Sequence, residues 1–77
     1  MSIDIDDLAK EAGIKVRCII EGAPEHLQWL FGWVFKFDGQ TRYTTGGITK
    51  EELIRQLIKK YRIRLSVKTR IKMQPFY

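Results

Sequence analysis

Hydrophobic positions along the chain change their spacing from segment to segment, and each spacing predicts an element. Ile5, Leu8, Ala9 and Ala12 fall on one face at helical spacing, which predicts a helix over Ile5–Ala12. Asp4 precedes it as an N-cap, with Asp7 three residues on where a carboxylate can answer back. Ile3 and Leu8 are placed as a hydrophobic staple, and Gly13 is the natural stop. The period then drops to two. Val16, Cys18 and Ile20 alternate with Lys15, Arg17, Ile19 and Glu21, a strand over Ile14–Glu21. Gly22-Ala23-Pro24-Glu25 reads as a loop, because Pro24 cannot join a central ladder.

A second strand is predicted over Leu27–Phe37 and a third over Gln40–Thr45, joined by Asp38-Gly39. That pair suits a type I′ turn, which needs positive φ at both central residues. A two-residue turn sets Phe37 opposite Gln40, Phe35 opposite Arg42 and Trp33 opposite Thr44 on one face, and Val34 opposite Tyr43 on the other. After Gly46-Gly47, Thr49 and Glu52 form a Thr-x-x-Glu capping box. Leu53, Ile54, Leu57, Ile58 and Tyr61 then make a buried helical stripe, with Lys50, Arg55, Lys59 and Lys60 outside. From Arg62 to about Lys72 alternation returns: Ile63, Leu65, Val67, Thr69 and Ile71 face one way, and Arg62, Arg64, Ser66, Lys68, Arg70 and Lys72 the other. This predicts a last strand, with Met73-Gln74-Pro75-Phe76-Tyr77 as a tail. The expected fold is α+β in the order αβββαβ, a four-stranded, mostly antiparallel sheet with two helices on one face. The last strand would lie parallel to its neighbour, beside either the first or the third.

The 77 residues make one domain, 1–77. One cysteine, Cys18, excludes an internal disulfide framework, and one histidine, His26, excludes a Cys/His zinc site. The longest apolar run, Trp29 to Phe35, is far short of the roughly 20 residues a membrane helix needs. The acidic start, Ile3-Asp4-Ile5-Asp6-Asp7, is unlike a basic export leader, and with a free thiol it fits a cytoplasmic protein. The net charge of +5 is unevenly spread. Residues 1–28 hold six acids and three bases, a net of −3, whereas residues 29–77 hold eleven bases and three acids, a net of +8. A basic half wants an acidic partner.

Three groupings are candidates for chemistry. The first is the cationic strand: Arg62, Arg64, Lys68, Arg70 and Lys72 on one side, about 6.6 Å apart at alternate positions, near the ~6.8 Å rise of two nucleotides on a duplex strand. Arg42 joins this set from the hairpin. Edge strands also carry cations merely to discourage pairing with another sheet, although a line of like charges repels itself. The second is the aromatic stripe Trp29, Phe31, Trp33, Phe35 and Phe37, which reads as core if it faces the helices and as a stacking platform beside Arg42 if it does not. The third is Thr44-Thr45-Gly46-Gly47-Ile48-Thr49-Lys50, two glycines and a lysine at a helix start, which could hold an anion or be a plain loop. No nucleophile stands near His26 in sequence, and Cys18 sits on an apolar strand face as an inert core thiol would. The chain therefore reads as no enzyme, with no cofactor and no metal.

A short acidic first helix (Ile5-Asp6-Asp7-Leu8), a strand (Val16 to Ile20), a hairpin turning on Phe37-Asp38-Gly39-Gln40 and an amphipathic helix (Thr49 to Lys60) resemble, in order and spacing, the small phage-encoded anti-CRISPR inhibitors of Cas nucleases. Several such inhibitors are acidic and mimic DNA, whereas this chain is basic. The resemblance implies a class of activity and assigns no individual residue. It leads to an expected function: a non-enzymatic inhibitor that occludes a nucleic-acid-handling complex, docking its basic strand and Arg42 on an acidic surface. The alternative is an RNA- or DNA-binding domain using the same strand. A third reading makes that strand an edge guard and the chain a homodimer through an open sheet edge.

Overall fold

Asp4 opens the first helix, as the spacing predicts. Its Oδ1 accepts the amides of Asp6 at 2.8 Å and Asp7 at 3.4 Å. Helix α1 then runs Ile5–Ala12 and ends at Gly13 with φ 74°, a left-handed stop that favours glycine. The structure, a computed structural model, describes residues 4–73, Met73 by its backbone alone. The staple through Ile3 and the tail from Gln74 onward lie outside the described residues.

Strands β1 (Lys15–Cys18), β2 (Gly32–Phe37) and β3 (Gln40–Thr45) form an antiparallel sheet in that order. The hairpin register is the one a two-residue turn imposes: Phe37 pairs with Gln40, Phe35 with Arg42, Trp33 with Thr44 and Val34 with Tyr43. Asp38 and Gly39 both take positive φ, 53° and 77°, as a type I′ turn requires. Helix α3 (Lys50–Lys60) starts at Thr49, whose hydroxyl accepts the Glu52 amide and donates to the Glu52 carboxylate, each at 3.1 Å. Arg55, expected outside, is half-buried beside Glu51.

Both long helices cover one sheet face. Leu8, Ala9 and Ala12 of α1 and Leu53, Ile54, Leu57 and Ile58 of α3 enclose Cys18, Trp33 and Phe35 in one core. The aromatic stripe is therefore split. Trp33 and Phe35 are buried, Phe37 stacks on Tyr61 at 4.9 Å between ring centres, and Trp29 and Phe31 are exposed. The Trp33 indole donates to the Ile48 carbonyl at 2.8 Å, tying the sheet to the loop before α3.

Three expectations are corrected. The first strand stops at Cys18, so Ile19 and Ile20 emerge into solvent. The second strand starts at Gly32 and not at Leu27. Residues 25–31 wind as a short 3-10 turn (Glu25–Leu27) and a single α-turn, α2 (Gln28–Phe31). Gly32, at φ 118°, makes the switch to strand, and a Cβ there would meet the Thr44 carbonyl oxygen at 2.5 Å. The last strand over Arg62–Lys72 does not form. Among the described residues the sheet has three strands, and Val67–Met73 is a helix, α4. Two local effects favour that outcome. Ser66 caps α4, its hydroxyl accepting the Thr69 amide at 3.2 Å. A strand would also have aligned its cations on one side, where a helix distributes them around its axis. The class is thus α+β with both long helices on one sheet face, and the row of cations at strand pitch is lost with the strand.

Among the described residues no helix packs over the opposite sheet face, where Lys15, Arg17, Lys36, Thr41 and Tyr43 are exposed. By register its rows are Lys15–Lys36–Thr41 and Arg17–Val34–Tyr43. Val34 is buried there between exposed neighbours.

Candidate functional site

The turn after α3 gathers the cations that the sequence spread along a strand. The Arg62 amide donates to the Lys59 carbonyl at 3.2 Å and the Ile63 amide to the Ile58 carbonyl at 3.0 Å. This is the hydrogen-bond pair of a Schellman ending, which places one residue in the left-handed region, usually glycine. Here that residue is Arg62, at φ 52°. The reversal turns Arg62 and Arg64 outward, while Leu65 returns to the core and Ile63 is half-buried.

Helix α4 completes the site, and α1 holds α4 in place. Glu11 accepts the Ser66 amide at 2.8 Å on Oε1, and its Oε2 accepts the Thr69 hydroxyl. The Ser66 hydroxyl also lies 3.0 Å from the Thr69 hydroxyl. The Thr69 hydroxyl, foremost, and the Ser66 amide hold the Glu11 carboxyl below its ordinary pKa, because hydrogen bonds to the ionised form favour it. Thr69 is thereby buried, and Arg70 beside it lines the groove.

Lys59, Arg62, Arg64 and Arg70 surround an open groove of about 370 Å³ floored by Ile58, Ile63 and Leu65. Among the described residues the ion pairs within 4.0 Å are Lys50–Asp6 and Arg55–Glu51, and neither involves a groove cation. Three guanidinium forks around one space suit planar, doubly bonded contact to phosphate or carboxylate oxygens.

Of the six residues expected from the sequence, the structure brings Arg62, Arg64 and Arg70 together. Lys68 is exposed and Lys72 half-buried on α4, and neither lines the groove. Arg42 stands apart on β3, where its Nη2 donates to Gln40 Oε1 at 2.7 Å beside Phe37 and Tyr61. The sequence pattern places Lys59 only on the solvent side of a helix; its position in a basic last turn is the available signal. Glu11, which positions α4, had no local signal, since its partners lie 55 and 58 residues away.

Two other candidates, the glycine loop and Cys18, have groups engaged within the fold. The Gly47 amide donates to the Trp29 carbonyl at 2.7 Å and Lys50 pairs with Asp6 at 2.9 Å, so the glycine loop is spent on the fold. Cys18 is buried with its thiol 3.8 Å from the Gln28 carbonyl. Among the described residues no group of His, Cys, Asp and Glu is placed to hold a metal, and no helix is long and apolar enough to cross a membrane. Compared with protein-family models, curated proteins and solved structures, the chain matches none of them.

Proposed function

We propose that the chain is a non-enzymatic binding protein that holds a nucleic-acid phosphate backbone in the groove between α3 and α4. The convergence of Lys59, Arg62, Arg64 and Arg70 carries this reading. Four cations with no carboxylate partner among the described residues cost the fold repulsion, and an acidic ligand relieves it.

The test is an anisotropy titration of labelled single-stranded and duplex oligonucleotides, DNA and RNA, at two salt concentrations. Neutralising four phosphates on a single strand gives a log–log salt slope of about −2.8, or roughly 50-fold weaker binding for a fourfold rise in salt. The folded triple variant Arg62→Gln, Arg64→Gln, Arg70→Gln should bind far more weakly. Unchanged binding in that variant refutes the reading.

A different observation favours a second reading, a protein that occludes a nucleic-acid-handling complex. Ile19, Ile20, Trp29, Leu30 and Phe31 are all exposed on the two segments that meet where the Ile19 amide donates to Gly32, at 3.1 Å. Phosphate has no use for such a patch, whereas a protein surface does. Recovery of a host protein that resists nuclease treatment, lost on Leu30→Asp, would support it; recovery of nucleic acid alone would refute it.

A further inference from the structure

The sheet face that no described helix covers has a composition that core packing does not explain. Its two central rows are Lys15–Lys36–Thr41 and Arg17–Val34–Tyr43. Cross-strand neighbours stand about 5 Å apart and the two rows about 6.8 Å apart, so the backbone positions of the three cations and the tyrosine fall within roughly 12 Å; the Arg17 guanidinium donates to the Cys18 carbonyl at 3.5 Å. Tyr43 is 67 % exposed, more than any other large hydrophobic side chain of the described residues. Val34, between Arg17 and Tyr43 in register, is buried. No acidic side chain belongs to either row. Glu21 shares a groove with Arg17 at the far end of β1 without forming an ion pair with it within 4.0 Å.

From this placement we infer that the open face is a platform for single-stranded nucleic acid, one base stacking on Tyr43 and flanking phosphates meeting Arg17, Lys36 and Lys15. The inference rests on the reading of the partner as nucleic acid and adds its strandedness. A flat face offers an aromatic ring to a base only when that base is unpaired. Cations around the ring, with no competing carboxylate in its rows, supply the charge complementarity. A duplex presents its backbone and hides its base faces, so it gains nothing from Tyr43.

The test uses the full chain and a labelled pyrimidine oligomer of about ten nucleotides, alongside an abasic deoxyribose-phosphate oligomer of the same length. Tyr43→Ala should weaken binding of the base-bearing strand about tenfold, leave the abasic strand unaffected, and be rescued by Tyr43→Phe. Arg17→Gln with Lys36→Gln should weaken both strands. These side chains are exposed, so circular dichroism should show an unchanged fold. Equal loss on both strands, or no loss, with Tyr43→Ala overturns the platform. If the triple groove variant alone loses binding, the groove reading stands and the platform falls; if Tyr43→Ala alone does, the reverse holds. Displacement of the oligomer by polyglutamate at equal charge overturns both in favour of an acidic protein surface.

Discussion

Arg62 occupies a backbone position that suits glycine, and replacing it should separate stability from binding. A non-glycine residue in the left-handed region costs about 1–2 kcal/mol, and Arg62 sits there at φ 52°. Arg62→Gly relieves that strain, while glycine's extra freedom in the unfolded chain takes back roughly 0.5–1 kcal/mol. The net expectation is a gain of about 0.5–1 kcal/mol. For a domain of this size each kcal/mol moves the melting temperature by about 4–8 °C, so Arg62→Gly should melt several degrees above the parent. The same variant loses one of the four groove cations, which should lower the single-strand salt slope from about −2.8 to about −2.1 and weaken binding several-fold at low salt. Arg62→Ala is the control: it removes the guanidinium but keeps the strain, so binding falls without the thermal gain. Thermal unfolding by circular dichroism and anisotropy titration read the two quantities independently. A glycine variant that melts lower than the parent, or binds as tightly, refutes the argument that Arg62 holds a strained position for a ligand's sake.

Three further outcomes follow from particular contacts. The Glu11 carboxyl, held below its ordinary pKa by Thr69 and Ser66, stabilises the α4 attachment while ionised. Its contribution is complete above the unfolded-state value of about 4.3 and is lost as the pH falls through the lower folded value. Helical carbon shifts of Val67–Met73 should therefore fade in acid before those of α3, and Glu11→Gln should weaken them already at neutral pH; α4 shifts that are indifferent to both would contradict the latch. Ile54 is fully enclosed, and Ile54→Ala should cost about 2–5 kcal/mol, comparable to the roughly 3–5 kcal/mol a domain this small possesses. A cooperative urea transition at the parental midpoint would be incompatible with the core described. Finally, a Cβ on Gly46 would lie 1.9 Å from the Leu30 carbonyl oxygen, so Gly46→Ala should lower stability by about 2 kcal/mol or more and shift the Trp33 indole resonance. An unshifted indole would show that the loop does not seat as described.

Where the chain was legible, the information was local. Asp4 and Gly13 bound α1, Asp38-Gly39 sets the hairpin register, and Thr49 with Glu52 starts α3; each is a hydrogen-bonding or φ requirement met within four residues. Alternation alone misassigns two segments, because it does not show what covers them. Trp29 and Phe31 extend the aromatic alternation of β2, yet Gly32 permits a sharp change of direction and the preceding residues coil. The alternation of Ile63–Ile71 sets Leu65, just before α4, four residues from Thr69, within it. The structure buries those two and leaves Val67 and Ile71 outside, 62 % and 64 % exposed. Ser66 carried the deciding local signal, a cap preceding the helix, and Glu11 supplied the rest from the other end of the chain. Consequently Arg62, Arg64 and Arg70 share no strand, and the fold brings them together by turning the chain back at Arg62.

Charge accounting in the folded state sharpens the case for an acidic partner. The sequence separates an acidic first third from a basic remainder, and pairing between the two would cancel the field. The fold spends many of its carboxylates otherwise. Asp4 and Glu52 serve helix starts, the Glu52 carboxylate accepting the Thr49 hydroxyl, Asp6 meets Lys50, Glu51 meets Arg55 and Glu11 holds α4 through neutral donors. Each lies at or near a helix terminus, where it is satisfied by amides, hydroxyls or cations of the helical layer. None is paired within 4.0 Å with Lys15, Arg17, Lys36, Lys59, Arg62, Arg64 or Arg70. The groove cations and the open-face cations thus keep their fields directed outward, and the surface a partner meets is more basic than the net charge of +5 suggests. Such a distribution raises the encounter rate with a polyanion and makes it fall steeply with salt. The two basic surfaces should therefore show that salt dependence, whereas the apolar patch formed by Ile19, Ile20 and Trp29–Phe31 should not, and this difference assigns a partner to one surface or the other.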